Sequence, residues 1–280
     1  MAVLLQAASR EALGSVGDRL DAVADAATAE QIGTIGVELF AVVRLLDANG
    51  QLRRHLGDPS APAQARAGLV RQLLGGKQAA QTVELVEQLA SATWSRPGDL
   101  VDAAEVLARR AILAVAEKQG NLDDVEDELF RFSRILEREP QFAALLADIT
   151  APAEGRVGLL QATLGTGSSA KVSDVTYALL AEAVRTPRGR RLDDVAAELA
   201  EEAAARRKRS VAKVVTPVAL TEQQEARLVA VLGRMYGRAI SLQVELDPSL
   251  LGGLVITIGD ELIDGSLAAK LAAARRNLPT

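Results

Sequence analysis

A shift of 90 positions lays residues 39–75 on residues 129–165 without a gap, and about 14 of the 37 positions are identical. Leu39-Phe40 meets Leu129-Phe130, Arg44 meets Arg134, and Asp58 meets Asp148. Ala61-Pro62-Ala63 meets Ala151-Pro152-Ala153, and Arg66, Gly68 and Leu69 meet Arg156, Gly158 and Leu159. Chance in a chain this rich in alanine and leucine gives only about three or four matches. The period exceeds the roughly 20–50 residues of solenoid repeats. The chain therefore carries a duplicated domain of about 100 residues, and any fold assigned to one copy must serve for the other.

Hydrophobic spacing makes each copy helical. In the second, Leu129, Phe132, Ile135 and Leu136 recur at helical intervals until Pro140 stops the run. Phe142, Leu145 and Leu146 follow, and Thr150-Ala-Pro opens a further helix bearing Leu159, Leu160 and Leu164. Gly165-Thr-Gly-Ser-Ser reads as a loop. Val175, Leu179 and Val184 mark another helix, ended by Thr186-Pro187; Leu192, Val195, Ala196 and Leu199 start a long one that runs into Arg206–Arg209. Residues 99–118, with Val101, Ala104, Ala108, Ile112 and Val115, are expected to form one long helix entering the second copy.

The pattern changes after Ser210. Val211–Val218 reads as a strand in which Pro217 marks an edge or an end. Thr221 and Gln224 predict a capping box, ahead of a helix with Leu228, Val231, Leu232 and Met235 on one stripe. Residues 240–247 alternate strictly between apolar and polar, the mark of a half-buried strand. Leu254–Ile258 is a further strand that Gly259-Asp260 can turn into Glu261–Ile263. Ser266 is placed to cap a last helix with Leu267, Leu271, Ala274 and Leu278. The expected fold is mainly α with a small α+β C-terminal domain: tandem helical-bundle copies at 1–103 and 104–208, then a β-α-β-β-α unit at 209–280.

Composition then narrows the function. A net charge of −5 argues against a general nucleic-acid binder, which needs a basic face to release phosphate counterions. With no cysteine, disulfides and thiolate metal sites are excluded. No run approaches the roughly 18–20 apolar residues of a membrane span, and MAVLLQAASR lacks a basic flank and is not expected to be a signal peptide. Membrane association is expected only through a partner.

Reactive constellations are equally scarce. His55, the one histidine, sits in Leu52-Arg-Arg-His-Leu56 at an expected helix end and cannot build a histidine cluster. Gly75-Gly76-Lys77 fails as a phosphate loop, because Arg71 stands where a glycine is needed and Gln78 where Ser or Thr is needed. A helix C-terminus explains it better. Asp260, Glu261 and Asp264 match no calcium loop. Arg206–Arg209, with Arg185, Arg188, Arg190 and Arg191 upstream, is the best candidate for nucleic acid, yet no aromatic residues interleave and Glu202 stands one helical turn before Arg206. No catalytic residue, cofactor or metal site is expected. Salt-dependent nucleic-acid binding abolished by neutralising Arg206–Arg209 would favour an adaptor role; a small-molecule enzyme lacks a plausible nucleophile or acid–base pair.

One segment is more specific. Leu251-Gly-Gly-Leu-Val-Ile-Thr-Ile-Gly-Asp-Glu-Leu-Ile-Asp-Gly-Ser resembles the C-terminal pattern of F-type ATP synthase delta subunits and of their mitochondrial counterpart, the oligomycin-sensitivity-conferring protein. Its marks are Gly252, Gly253, Gly259, Asp260, Asp264, Gly265 and Ser266, all read as structural. Leu220-Thr-Glu-Gln-Gln and Asp247-Pro-Ser-Leu-Leu-Gly-Gly agree with the same family. Residues 104–280 match its ordinary length, and the extra copy at 1–103 resembles the long forms of high-GC Gram-positive bacteria, in which delta is also found fused to a b-type segment; no membrane-anchoring b segment is read here.

The resemblance implies a non-catalytic stator. One copy per complex would join the alpha/beta head to the peripheral stalk at the cytoplasmic face of the bacterial plasma membrane. The helical domain would receive N-terminal segments of the alpha subunits, and the C-terminal domain would meet the distal ends of the b-subunit helices. In that family the first and fifth helices form the receiving groove. The matching stretches of the second copy hold Ala108, Ile112 and Val115, and Val175, Leu179 and Val184. The second copy is favoured for this role because it adjoins the signature domain.

Overall fold

The computed structural model describes residues 6–165, 172–209, 211–236, 240–259 and 261–267. Asp260, the loop after Gly165 and the terminal helix expected at Leu271, Ala274 and Leu278 lie outside them. The chain forms two compact units, one up to Ala204 and one from Ala205.

The first unit is all helical. In order it holds α1 (Ala7–Ala26), α2 (Ala29–Ala48), α3 (Gly50–Gly57), α4 (Ala63–Leu74), α5 (Ala80–Ser91), α6 (Pro97–Gln119), α7 (Leu122–Arg138), α8 (Pro140–Ala147), α9 (Ala153–Gly165), α10 (Asp174–Arg185) and α11 (Leu192–Arg209), whose last turn passes into the second unit. Local chemistry sets the helix ends. Thr28 and Gln31 close a capping box on α2, with Gln31 N–H donating to Thr28 Oγ1 at 3.2 Å and Thr28 N–H to Gln31 Oε1 at 2.9 Å. Pro97 occupies the first turn of α6, and Gly120, at φ 73, ends that helix in the left-handed region.

The repeat now has a structural form. Helices α1–α4 correspond to α6–α9 at the 90-residue offset, while α5 corresponds to α10 at an offset of 94. Helix α6 serves twice, as the last helix of the first copy and the first of the second. The expected division at residues 103/104 falls inside it. Fourteen of its 23 residues are buried, against five of 20 in α1. A helix buried on nearly every side must be apolar there or have its buried charges paired, and α6 combines apolar core residues with paired charges. Leu100, Val101, Leu107, Ile112 and Leu113 lie in the core, and buried Glu105 and Arg109 pair with each other.

Most expected core positions are buried, with instructive exceptions. Val125, Leu129, Phe132 and Leu136 form the buried face of α7, whereas Ile135 is 46% exposed. Val125, Leu129, Phe132 and Leu136 follow one narrow stripe, and Ile135, about 100° round from Leu136, falls outside it.

In the second unit, β1 (Val211–Thr216), α12 (Glu222–Tyr236), β2 (Ser241–Leu246), β3 (Val255–Ile258) and β4 (Glu261–Asp264) build a mixed sheet of order β2-β1-β3-β4. β1 and β2 run parallel, as a β-α-β crossover through α12 requires. β1–β3 and β3–β4 are antiparallel. Since β1 is an interior strand ending at Thr216, Pro217 marks its end and not an edge. Thr221 and Gln224 form the expected capping box. Ala212, Val214, Leu232, Ile240, Ile256 and Ile258 form the core. Met235, expected on the same helical stripe, is exposed near the end of α12.

Candidate functional site

Both helical copies are built on the same two polar devices, a buried arginine and a half-buried glutamate. Arg66 and Arg156 are each about 5% exposed. Arg66 donates to the carbonyls of Leu56 at 3.2 Å, Ala92 at 2.9 Å and Ser91 at 3.3 Å. Arg156 donates to those of Leu146 at 3.1 Å, Val184, and Arg185 at 3.5 Å. Each guanidinium thus satisfies carbonyls at the C-terminal ends of the third and fifth helices of its copy, groups that a helix leaves unpaired. The second device is a glutamate on the second helix. Glu38 accepts from Ala79 N–H at 3.0 Å and from the Thr82 hydroxyl; Glu128 accepts from Ser173 N–H at 3.0 Å and the Thr176 hydroxyl at 2.6 Å. In both copies the carboxylate meets the positive N-terminus of the fifth helix. These groups are scaffold.

The groove between the first and fifth helices differs between the copies. In the first, α1 and α5 border a cleft of about 720 Å³ lined by Ala12, Ser15, Val16, Arg19, Gln88 and Ala92, among others. In the second, the equivalent space between α6 and α10 shrinks to about 10 Å³. There Glu105, Glu182 and Thr186 replace Ser15, Gln88 and Ala92, Arg109 matches Arg19, and Phe40 and Val43 of α2 cover the space.

Ile112 and Val115 lie against Gly36 and Gly33 of α2, and Leu179 lines the small space that Phe40 and Val43 of α2 also line. Ala108, Val175, Leu179 and Val184 are 0–5% exposed, and Ile112 is 4% exposed; Val115 is half-buried against the same core. The structure brings the six into one core. Their apolar spacing was legible in the sequence, but the covering helix comes from the other copy, which no local pattern reveals.

Around this joint lies an ion cluster that the sequence reading did not anticipate. Glu105 accepts from Arg109 at 2.6 Å, from Arg188 at 2.6 Å, and from Arg190. Arg188 also reaches Asp102 at 2.6 Å and, at 3.6 Å, Asp47 of α2. Arg109 continues to Glu202 at 3.2 Å, and Arg44 of α2 pairs with Glu182 of α10. Burial works against ionisation of Glu105, but Arg109, Arg190 and Arg188 together hold its pKa below the ordinary 4.5. Desolvation opposes the Arg188 charge, yet Glu105 and Asp102 leave its pKa raised. Arg188 accepts a left-handed backbone, φ 51, to reach this position. Arg185 pairs with Glu154 and Glu182, and Arg191 with Asp193. The four upstream members of the basic cluster are therefore each matched by carboxylates, which is not the bare cationic face that binds phosphates.

The signature segment folds back on itself. Gly252 and Gly253 have φ 144 and 84, and a Cβ on Gly253 would lie 2.4 Å from Gly265 O and 2.9 Å from Ser266 Cα. Only glycine fits that approach. Gly265 N–H donates to Leu254 O and Leu267 N–H to Gly252 O, both at 2.9 Å. Asp264 accepts from Ser266 N–H at 2.9 Å, and the Ser266 hydrogen bonds lower the Asp264 pKa. The glycine pair and Asp264-Gly265-Ser266 are thus two halves of one contact, while Gly259, at φ 56, turns the hairpin between them. His55 is exposed in the last turn of α3, and Gly76, at φ 72, follows the end of α4. Among the described residues no group of acidic, histidine or cysteine side chains is placed to hold a metal, and no helix is long and apolar enough to cross a membrane.

The family model described as "ATP synthase delta (OSCP) subunit" matches residues 108–278. Two curated relatives, each named ATP synthase subunit b-delta, from Mycobacterium sp. strain KMS and strain JLS, are 42% identical over 275 residues. The alignments cover 98% of this chain and 61% of each relative, so the chain spans about three fifths of their length. A chain in the cryo-EM structure of the Toxoplasma gondii mitochondrial ATP synthase hexamer aligns over 61% of this chain and 96% of its own, at 19% identity and a TM-score of 0.30.

Proposed function

This chain belongs to the ATP synthase delta (OSCP) subunit family, and we propose that it works as a non-catalytic connector in the peripheral stalk, holding the alpha/beta head to the b-type stalk against rotor torque. The observation that carries this reading is the continuous family match over 108–278, which includes the whole signature hairpin. One of the helical copies, 1–103 or 104–208, receives N-terminal helices of the alpha subunits in a groove of the kind formed by first and fifth helices. The unit at 209–280 meets the b-subunit helices. Through that stalk the protein sits peripherally at the cytoplasmic face of the membrane, one copy per complex.

The physical demand on such a connector is stiffness. Helix α6, about 35 Å long at 1.5 Å per residue, runs unbroken through both copies. Its buried charges are fixed by several partners each. Bending it would break packing in both copies at once. No bond needs to be made or broken, which agrees with a site built of grooves and ion pairs.

Affinity purification of the tagged chain from native membrane extract tests the reading. Recovery of the alpha and b-type subunits is expected. A preparation that recovers neither contradicts it.

A further inference from the structure

The two grooves offer a comparison inside one molecule. In the second copy the groove already holds a helix. Gly36 lets α2 approach α6 closely, since a Cβ there would stand 2.6 Å from Ile112 Cδ1. At Gly33 a Cβ would be 3.5 Å from Val115 Cγ2. Phe40 and Val43 then close the space between α6 and α10, and Arg44 pairs with Glu182. Gly33, Gly36, Phe40 and Val43 follow the spacing by which an amphipathic helix enters a groove.

The corresponding residues of α7 are Asp123, Glu126, Phe130 and Ser133. Two acidic side chains stand where α2 has glycines, and Phe130 is 56% exposed where Phe40 is buried. The plug face thus belongs to α2 and is not a general property of the repeat. In the first copy nothing among the described residues plays its part, and the α1/α5 groove keeps its 720 Å³.

We infer that the duplication has turned the second groove into an intramolecular joint with α2 as its permanent occupant, so that the chain offers one helix-receiving groove, between α1 and α5, and not two. Its occupant is an amphipathic helix presenting small and apolar residues to Ala12, Val16 and Ala92. That helix carries a cationic flank, because exposed Glu11, which lines the cleft, stands on α1 where α6 has Val101. This inference rests on the peptide-receiving role proposed above and adds which copy performs it, with what stoichiometry.

The chain has no cysteine, so single thiols can be introduced cleanly. In the full chain alone, Val43→Cys and Leu179→Cys should react with a thiol reagent at least about 100-fold more slowly than Ser15→Cys and Gln88→Cys. Equal rates would overturn the joint. A synthetic peptide of the alpha-subunit N-terminus should bind one per chain and slow labelling of Ser15→Cys and Gln88→Cys about tenfold, leaving Val43→Cys protected. Two peptides per chain, or Val43→Cys becoming reactive as peptide binds, overturns the inference. Alpha subunit that co-purifies with the chain while its peptide leaves Ser15→Cys and Gln88→Cys unprotected overturns it too, and leaves the stalk function standing. Failure to co-purify at all removes the function itself.

Discussion

The first and second helical copies share their skeleton and differ in their grooves. Arg66 and Arg156 tie off the same helix ends, and Glu38 and Glu128 cap the same fifth helix. Yet Ser15 and Gln88 border an open cleft, whereas their counterparts Glu105 and Glu182 are bound to arginines beneath α2. The difference teaches what joining two copies demands. Sharing α6 exposes it to both bundles, and the charges it then buries must be paired.

The sharpest way to break this comparison is Glu105→Gln against Ser15→Ala. Removing one carboxylate that faces three guanidinium groups should cost about 3–5 kcal/mol of unfolding free energy, while the counterpart change stays within about 0.5 kcal/mol. The Glu105 effect has a pH sign. Its folded pKa is lowered from 4.5, so its contribution is complete above that value and is lost as pH falls through the folded value. Denaturant titrations should show the gap between wild type and Glu105→Gln narrowing below about pH 4.5. A gap that widens toward acid would contradict the assignment.

Next come Arg66→Met and Arg156→Met. Each strands helix-end carbonyls, and each should cost about 3 kcal/mol. Similar losses in both copies would sharpen the view that the skeleton is common. Neutrality in one copy would break it.

Glycines give the smallest contrast. Gly36→Ala drives a methyl into Ile112 and should destabilise by about 1–3 kcal/mol. Gly14, on exposed α1, has nothing within 4 Å of an added Cβ, so Gly14→Ala should stabilise by about 0.5–1 kcal/mol. Thermal melts of the two variants should move in opposite directions.

Much of this was legible in the sequence, for physical reasons that also mark where legibility ends. Periodicity reports which face of a helix is apolar, so Val125, Leu129, Phe132 and Leu136 could be read directly. It cannot report which helix covers that face. Ala108, Ile112 and Leu179 were rightly seen as apolar, but α2, some 70 residues before Ile112, is what meets them. The ungapped repeat also stops at Gly75 and Gly165, because the link to the fifth helix is four residues longer in the second copy. That shift hid the match between α5 and α10, and with it the paired grooves. A usable signal was present in Gly33 and Gly36 facing Asp123 and Glu126 across the repeat, small residues where the other copy has large charged ones. The signature hairpin was easier, since its glycines and its Asp264-Gly265-Ser266 turn are local and touch each other.

The central claim is that the joint between the copies closes one groove and leaves the other to receive the head. Photo-cross-linking in the purified synthase tests it most directly, with a photoreactive amino acid in place of Gln88 in one preparation and Ala183 in another. From position 88 the product should be the alpha subunit; from position 183 it should be the chain's own α2, around Phe40 and Val43. Alpha subunit captured from position 183, with α2 uncross-linked, would contradict the account.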